Sequence, residues 1–221
     1  AVRLFPMGIK IDYNYSRCAC RLQRPNHSLS ALTSKRTVWY DEEHLGRRNE
    51  AVIFLITGAS HTGKTCLAQR LLERYRYPYL SMDLLKMGLI RSGNTSLTPE
   101  DDRALEDYLW PIVREMIKTA LENRQNLIVE GGYIPFRWRE DFSPAEQEEI
   151  RYLCLIMSRS YLEQHFSEIR RYANAVEHRV DDSWCTMDFL QRENTYYLEM
   201  CEQYHCPYLW IDRDYPSDID L

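Results

Sequence analysis

The 221-residue sequence lacks any long apolar run, and nothing in it approaches the ~18 uninterrupted apolar residues that a membrane-spanning helix requires. It lacks paired C-x-x-C spacing: its seven cysteines are scattered, and Cys18 and Cys20 stand as C-x-C. A zinc site built on them is therefore not indicated, and reduced thiols of a cytosolic protein are the expectation. It lacks a broad basic surface as well. Residues 1–40 carry seven Lys/Arg against Asp12 alone, a balance of +6; with a total of −5, the remainder carries −5 − 6 = −11. An acidic body argues against nucleic-acid binding, which needs cations for phosphate contacts. No internal repeat, no metal-ligand spacing among the histidines and no guanine-selective N-K-x-D run is found.

What is present is ordinary for one soluble domain: 44% apolar, 28% charged and a high 12% aromatic content, mostly from 16 tyrosines. Residues 1–50 differ from the rest. They lack strong periodicity, Pro6 and Pro25 interrupt them, and the chain does not start with Met. A loosely ordered extension is expected there, with an Arg- and Ser-rich targeting leader as the alternative. The domain proper is expected over 51–221.

From Ala51 the pattern becomes regular. Residues 51–57 (AVIFLIT) read as a central strand covered on both faces. A turn follows, then a helix with Leu67, Leu71 and Leu72 on one face. Residues 78–82 read as a second strand ending at Asp83, with a helix from there toward Arg91. Thr98-Pro99-Glu100-Asp101 is a helix start, and Pro111 is expected to bend or split the helix that follows. A third strand, 127–129, ends at Glu130-Gly131-Gly132. Ser143-Pro144-Ala145-Glu146 caps a short helix, residues 150–157 make a fourth strand, and charged helix 159–171 leads into polar residues 172–186. Helix 188–203 and strand 208–211 close the domain. Strands alternating with helices predict an α/β doubly wound parallel sheet.

One motif carries chemistry. Gly58-Ala59-Ser60-His61-Thr62-Gly63-Lys64-Thr65 satisfies G-x-x-x-x-G-K-[ST] between a buried strand and a helix. The glycines let the backbone curl so that its N–H groups face phosphate oxygens, and the helix N-terminus adds its partial charge. Lys64 reaches the outer phosphates and Thr65 is a Mg²⁺ ligand. Cys66 completes the stretch assigned to nucleotide contact, with its side chain read as a small core residue. ATP and Mg²⁺ are the expected cofactors.

With the P-loop, the strand ending at Asp83, the strand ending at Glu130-Gly131 and the late arginines, residues 51–212 resemble P-loop small-molecule and nucleotide kinases. Shikimate kinase, adenylate kinase, chloramphenicol phosphotransferase and 2-phosphoglycerate-kinase-like proteins share this layout. The resemblance implies a P-loop NTPase fold with a five-stranded sheet in order 2-3-1-4-5, helices on both faces and a helical lid. It also implies ATP-dependent phosphoryl transfer to a small-molecule or nucleotide acceptor. Asp83 falls where such kinases place a carboxylate facing the acceptor hydroxyl, although an acid there also suits a helix N-terminus. Glu130 falls at the Walker B position beside Mg²⁺. Arg159, Arg170, Arg171 and Arg179 fall where lid arginines grip phosphate, or else line a solvated helix face paired with Glu163, Glu168 and Glu177. Tryptophans 110, 138, 184 and 210 read as packing. A nucleotide-dependent switch acting on a partner protein is the alternative from another class.

Overall fold

The computed structural model describes residues 51–172 and 184–215. The expected N-terminal extension, Cys18, Cys20 and Arg179 lie outside these residues. The first strand, β1 (Ile53–Gly58), is buried at every position, as a central strand covered on both faces must be. It feeds α1 (Lys64–Tyr75), then β2 (Tyr79–Ser81), α2 (Met82–Arg91), α3 (Asp102–Glu122) and β3 (Leu127–Glu130). A short 3-10 turn at Trp138–Asp141 leads to α4 (Pro144–Glu149), β4 (Ile150–Met157), α5 (Arg159–Tyr172), α6 (Met187–Gln203) and β5 (Tyr208–Ile211).

All four strand pairings are parallel, in the order β2-β3-β1-β4-β5. This is the order that the resemblance to P-loop kinases implies. Alternating side chains of the central strands divide the core in two. Ile53, Leu55, Val129 and Ile156 pack on one face with Leu105, Leu109, Val113 and Ile117 of α3. Phe54, Ile56, Ile128 and Leu155 pack on the other with Leu67 and Leu71 of α1 and with Tyr161 and Leu162 of α5. Burying each such aliphatic side chain contributes about 1.5–3 kcal/mol, so the sheet is held from both sides.

Two local expectations are corrected. Pro111 does not split its helix: α3 runs unbroken through it for 21 residues. The proline lies on the exposed side, where water can satisfy the carbonyl it leaves unpaired, while the opposite face is anchored in the core. Nor does α3 begin at Thr98. Asp101 accepts hydrogen bonds from the Thr98 N–H (2.8 Å) and hydroxyl (3.0 Å), closing a turn ahead of the helix. The capping box at Ser143 is present, with Glu146 Oε2 accepting from the Ser143 N–H at 2.7 Å.

Candidate active site

The phosphate cradle joins β1 to α1. Gly58 has φ 140°, and a Cβ there would overlap the backbone of Leu155 on β4, so the loop can leave the sheet only from a glycine. Gly63 has φ 83°, and a Cβ there would overlap the hydroxyl of Tyr215. Tyr215, which follows β5, donates to the Thr62 carbonyl at 2.9 Å and packs over the loop. No side chain caps the N-terminus of α1, whose first N–H groups remain directed at the loop. Lys64 lies back across the loop, donating to the Ala59 carbonyl at 2.9 Å. His61 also has positive φ, 63°, and its ring lies 5.7 Å from that of Trp184. Trp184 packs, as expected, against His61 and edge-to-face against Phe189, but beside the cradle and 44% exposed rather than in the core.

Thr65 and Glu130 meet although 65 residues apart, with the Thr65 hydroxyl donating to Glu130 Oε1 at 3.2 Å. Register explains this: Glu130 ends β3 opposite Ile56 of β1, two positions before the loop begins. The carboxylate is 1% exposed, and Tyr79 of β2 donates to its other oxygen at 2.9 Å. A hydroxyl and a carboxylate side by side at the mouth of a phosphate cradle are hard oxygen donors. Mg²⁺ takes such donors, completing its shell with phosphate oxygens and water, so the residues fit that ion. Among the described residues, no group of three or more His, Cys, Asp or Glu could hold a metal without a substrate.

Asp83 comes two residues after Ser81, which lies beside Glu130 in the sheet register, and it is not at a strand end. β2 stops at Ser81, whose hydroxyl caps α2 by accepting from the Leu84 N–H at 3.3 Å, and Asp83 falls in the first helical turn. The neighbouring Met82 touches Gly131, where an added Cβ would come within 2.6 Å of the Met82 Cβ, so α2 starts against the chain leaving β3. Asp83 is bridged to Lys86 at 2.6 Å. Lys86 donates to the Tyr133 hydroxyl at 3.0 Å, and that hydroxyl donates to Asp102 at 3.2 Å. Burial works against the charge on Lys86, but Asp83 and Tyr133 outweigh it and raise its pKa. Burial pushes the Tyr133 phenol up to about 12, so it stays protonated. Half-buried Glu106 on α3 has its pKa raised by burial and by Asp107. Lys86, Asp102, Tyr133 and Glu106 were not singled out from the sequence; only the three-residue spacing of Asp83 and Lys86 on a helix was a readable signal.

The arginines are dispersed. Arg159 opens α5, is paired with Glu163 at 2.7 Å and is 79% exposed. Arg170 lies eleven residues on, about 16 Å along a helix at ~1.5 Å per residue, so the two cannot grip one phosphate from a single helix. Arg170 and Arg171 are exposed in the last turn. A cleft of about 610 Å³ opens where β4 and β5 end, lined by Arg159, Ser160, Gln191, Arg192, Trp210 and Asp212 among others, with no wall from the P-loop.

No family model and no curated protein matches the chain. Among solved structures it is similar to a candidate kinase from Chloroflexus aurantiacus at 20% identity, covering 78% of this chain and 93% of that one, with a TM-score of 0.48. It is similar to shikimate kinase from Bacteroides thetaiotaomicron at 14% identity, with coverage of 71% and 83% and a TM-score of 0.44. It is also similar to deoxyadenosine kinase from M. mycoides at 12% identity, with coverage of 73% and 90% and a TM-score of 0.44. These likenesses are too distant to assign an activity. The fold rests on the strand order, and the site on its own hydrogen bonds.

Proposed function

We propose that the chain transfers the γ-phosphate of Mg-ATP to a small acceptor bearing a free hydroxyl. The observation that carries this reading is the Thr65–Glu130 hydrogen bond at the mouth of a complete P-loop, with Asp83 on the adjoining turn. The loop N–H groups and Lys64 bind the phosphates. Thr65 and Glu130 would hold Mg²⁺, which when bound neutralises phosphate charge. The acceptor hydroxyl approaches over Gly131 and Gly132. Its oxygen bonds to the γ-phosphorus, the bond to the bridging oxygen breaks, ADP leaves, and the hydroxyl proton passes to the Asp83 carboxylate. Lys86 and Tyr133 hold that carboxylate in place.

The acceptor side favours a neutral hydroxyl compound over a nucleotide. Asp83 is paired with Lys86, Asp102 accepts from the Tyr133 hydroxyl that binds the same lysine, and like charge repels an acceptor that brings its own phosphate. Mg-ATP incubated with pooled nucleosides, nucleotides, sugars and hydroxy acids tests the reading through ADP release and product mass. A phosphorylated acceptor with ADP in equal amount is expected. ADP and inorganic phosphate with no new product would point instead to the nucleotide-dependent switch.

A further inference from the structure

The Ala59–Ser60 peptide in the cradle is held from both sides. Its carbonyl accepts from Lys64 Nζ at 2.9 Å and from the Thr62 hydroxyl at 2.7 Å. Its N–H donates to Glu193 Oε2 at 2.8 Å, and the Ser60 hydroxyl donates to Glu193 Oε1 at 3.0 Å. Both oxygens of one carboxylate are thus taken by one loop residue 133 positions away.

The contact is anchored. Asn194, next to Glu193 on α6, is 3% exposed; its side-chain oxygen accepts from the Met157 N–H at 2.7 Å and its amide nitrogen donates to the Leu190 carbonyl at 2.8 Å. One turn on, the Tyr197 hydroxyl donates to the Gly132 carbonyl at 3.3 Å. Residues 193, 194 and 197 therefore fasten α6 to the P-loop and to the ends of β4 and β3. A helix pinned at three points holds its carboxylate in a set place.

We propose that Glu193 is a positioning residue: it fixes the plane of the Ala59–Ser60 peptide and, through that carbonyl, the placement of Lys64. The proposal rests on the nucleotide reading of the cradle, in which Lys64 is the cation that meets the transferring phosphate. Ser60 occupies a position that the P-loop motif leaves open, so the pairing is a feature of this chain rather than of the motif.

The test uses the full chain with Glu193→Ala, Glu193→Gln and Glu193→Asp. Gln keeps an oxygen that can accept from the Ser60 N–H, whereas Asp keeps the charge but withdraws it by one methylene. Two quantities are read: ATP turnover with KM for Mg-ATP, and the labelling rate of Lys64 by an amine-acylating reagent in nucleotide-free protein, followed by mass spectrometry. Ala and Asp should lower kcat by about 10- to 100-fold while moving KM less than about threefold, the pattern of a displaced group. Lys64 labelling should change several-fold in the same two variants, and Gln should restore both quantities to near the wild-type values. Unchanged Lys64 labelling in folded Ala and Asp variants would overturn the proposal, and so would a Gln variant as impaired as Ala. If Ala does not fold, Asp carries the same readouts. Wild-type protein that fails to bind Mg-ATP would sink the nucleotide reading, and the labelling arm, which needs no nucleotide, would still decide the role of Glu193.

Discussion

The cradle and the proposed acceptor wall follow the C-terminal ends of neighbouring strands but are built in opposite ways. The cradle is a continuous run from Gly58 to Thr65, shaped by backbone conformation at Gly58, His61 and Gly63. The wall is a relay of side chains, Asp83 and Lys86 from α2, Asp102 before the body of α3 and Tyr133 after β3. A site made of backbone donors has little tolerance at its glycines and much at its other positions. A site made of side chains depends on the packing that brings distant elements together, so its members fail more gradually.

Substitutions can break this contrast, and the largest effects belong to the cradle. Gly58→Ala forces a Cβ into the backbone of Leu155 at a φ that L-residues rarely adopt. It should remove nucleotide binding in equilibrium titration and lower stability by about 1–3 kcal/mol in denaturant melts. Retained ATP affinity in this variant would mean that the loop can be rebuilt without its glycine. Lys64→Ala should leave the fold intact and reduce phosphoryl transfer by about 10²- to 10³-fold in a coupled ADP assay.

The wall should answer more selectively. Asp83→Asn keeps the shape and removes the charge, so transfer to the acceptor should fall about 10²-fold with ATP affinity nearly unchanged. Equal loss of both in direct binding and turnover measurements would make Asp83 part of the cradle and erase the distinction. Tyr133→Phe removes only the hydroxyl between Lys86 and Asp102. It should raise KM for the acceptor by about 3- to 10-fold and leave KM for ATP alone, consistent with one lost hydrogen bond of ~1 kcal/mol.

The smallest expected effect concerns pH. The folded-state pKa of Glu106 is raised, chiefly by burial and further by Asp107. A carboxyl with a raised pKa contributes stability that is full below its unfolded value and is lost as pH rises through the folded one. Glu106→Gln should therefore match wild type in thermal melts at about pH 4 and melt higher at neutral pH. A Gln variant that melts lower at neutral pH would mean that the charged form is held by a partner rather than opposed by burial.

Legibility followed the same division. β1, the loop after it, β3 and β4 are legible because a buried parallel strand is a run of apolar residues, and Gly58 and Gly63 at their fixed spacing mark a strand-to-helix turn. Strand order came from resemblance rather than from periodicity. Asp83 was placed within reach of the site but at the end of a strand, because the switch from β2 to α2 is made by the Ser81 cap, one side-chain hydrogen bond that no period records. That Trp184 packs is legible, but a single aromatic in a polar stretch says nothing of its neighbours, here His61 and Phe189. Lys86 was partly legible through its spacing from Asp83, whereas Glu193 carried no signal at all.

The sequence by itself determined the alternation of strands and helices, the P-loop motif with its turn, and the residue types able to meet phosphate and Mg²⁺. Each of these is set by conformation and hydrophobicity within a few neighbouring residues. Only the tertiary structure decided that Glu130 meets Thr65, that Lys86 and Tyr133 hold Asp83, and that Glu193 grips Ser60. Apart from Asp83 and Lys86, which share α2, the partners lie on separate elements, and the register of the parallel sheet, together with the helices packed on its two faces, brings them within hydrogen-bonding distance.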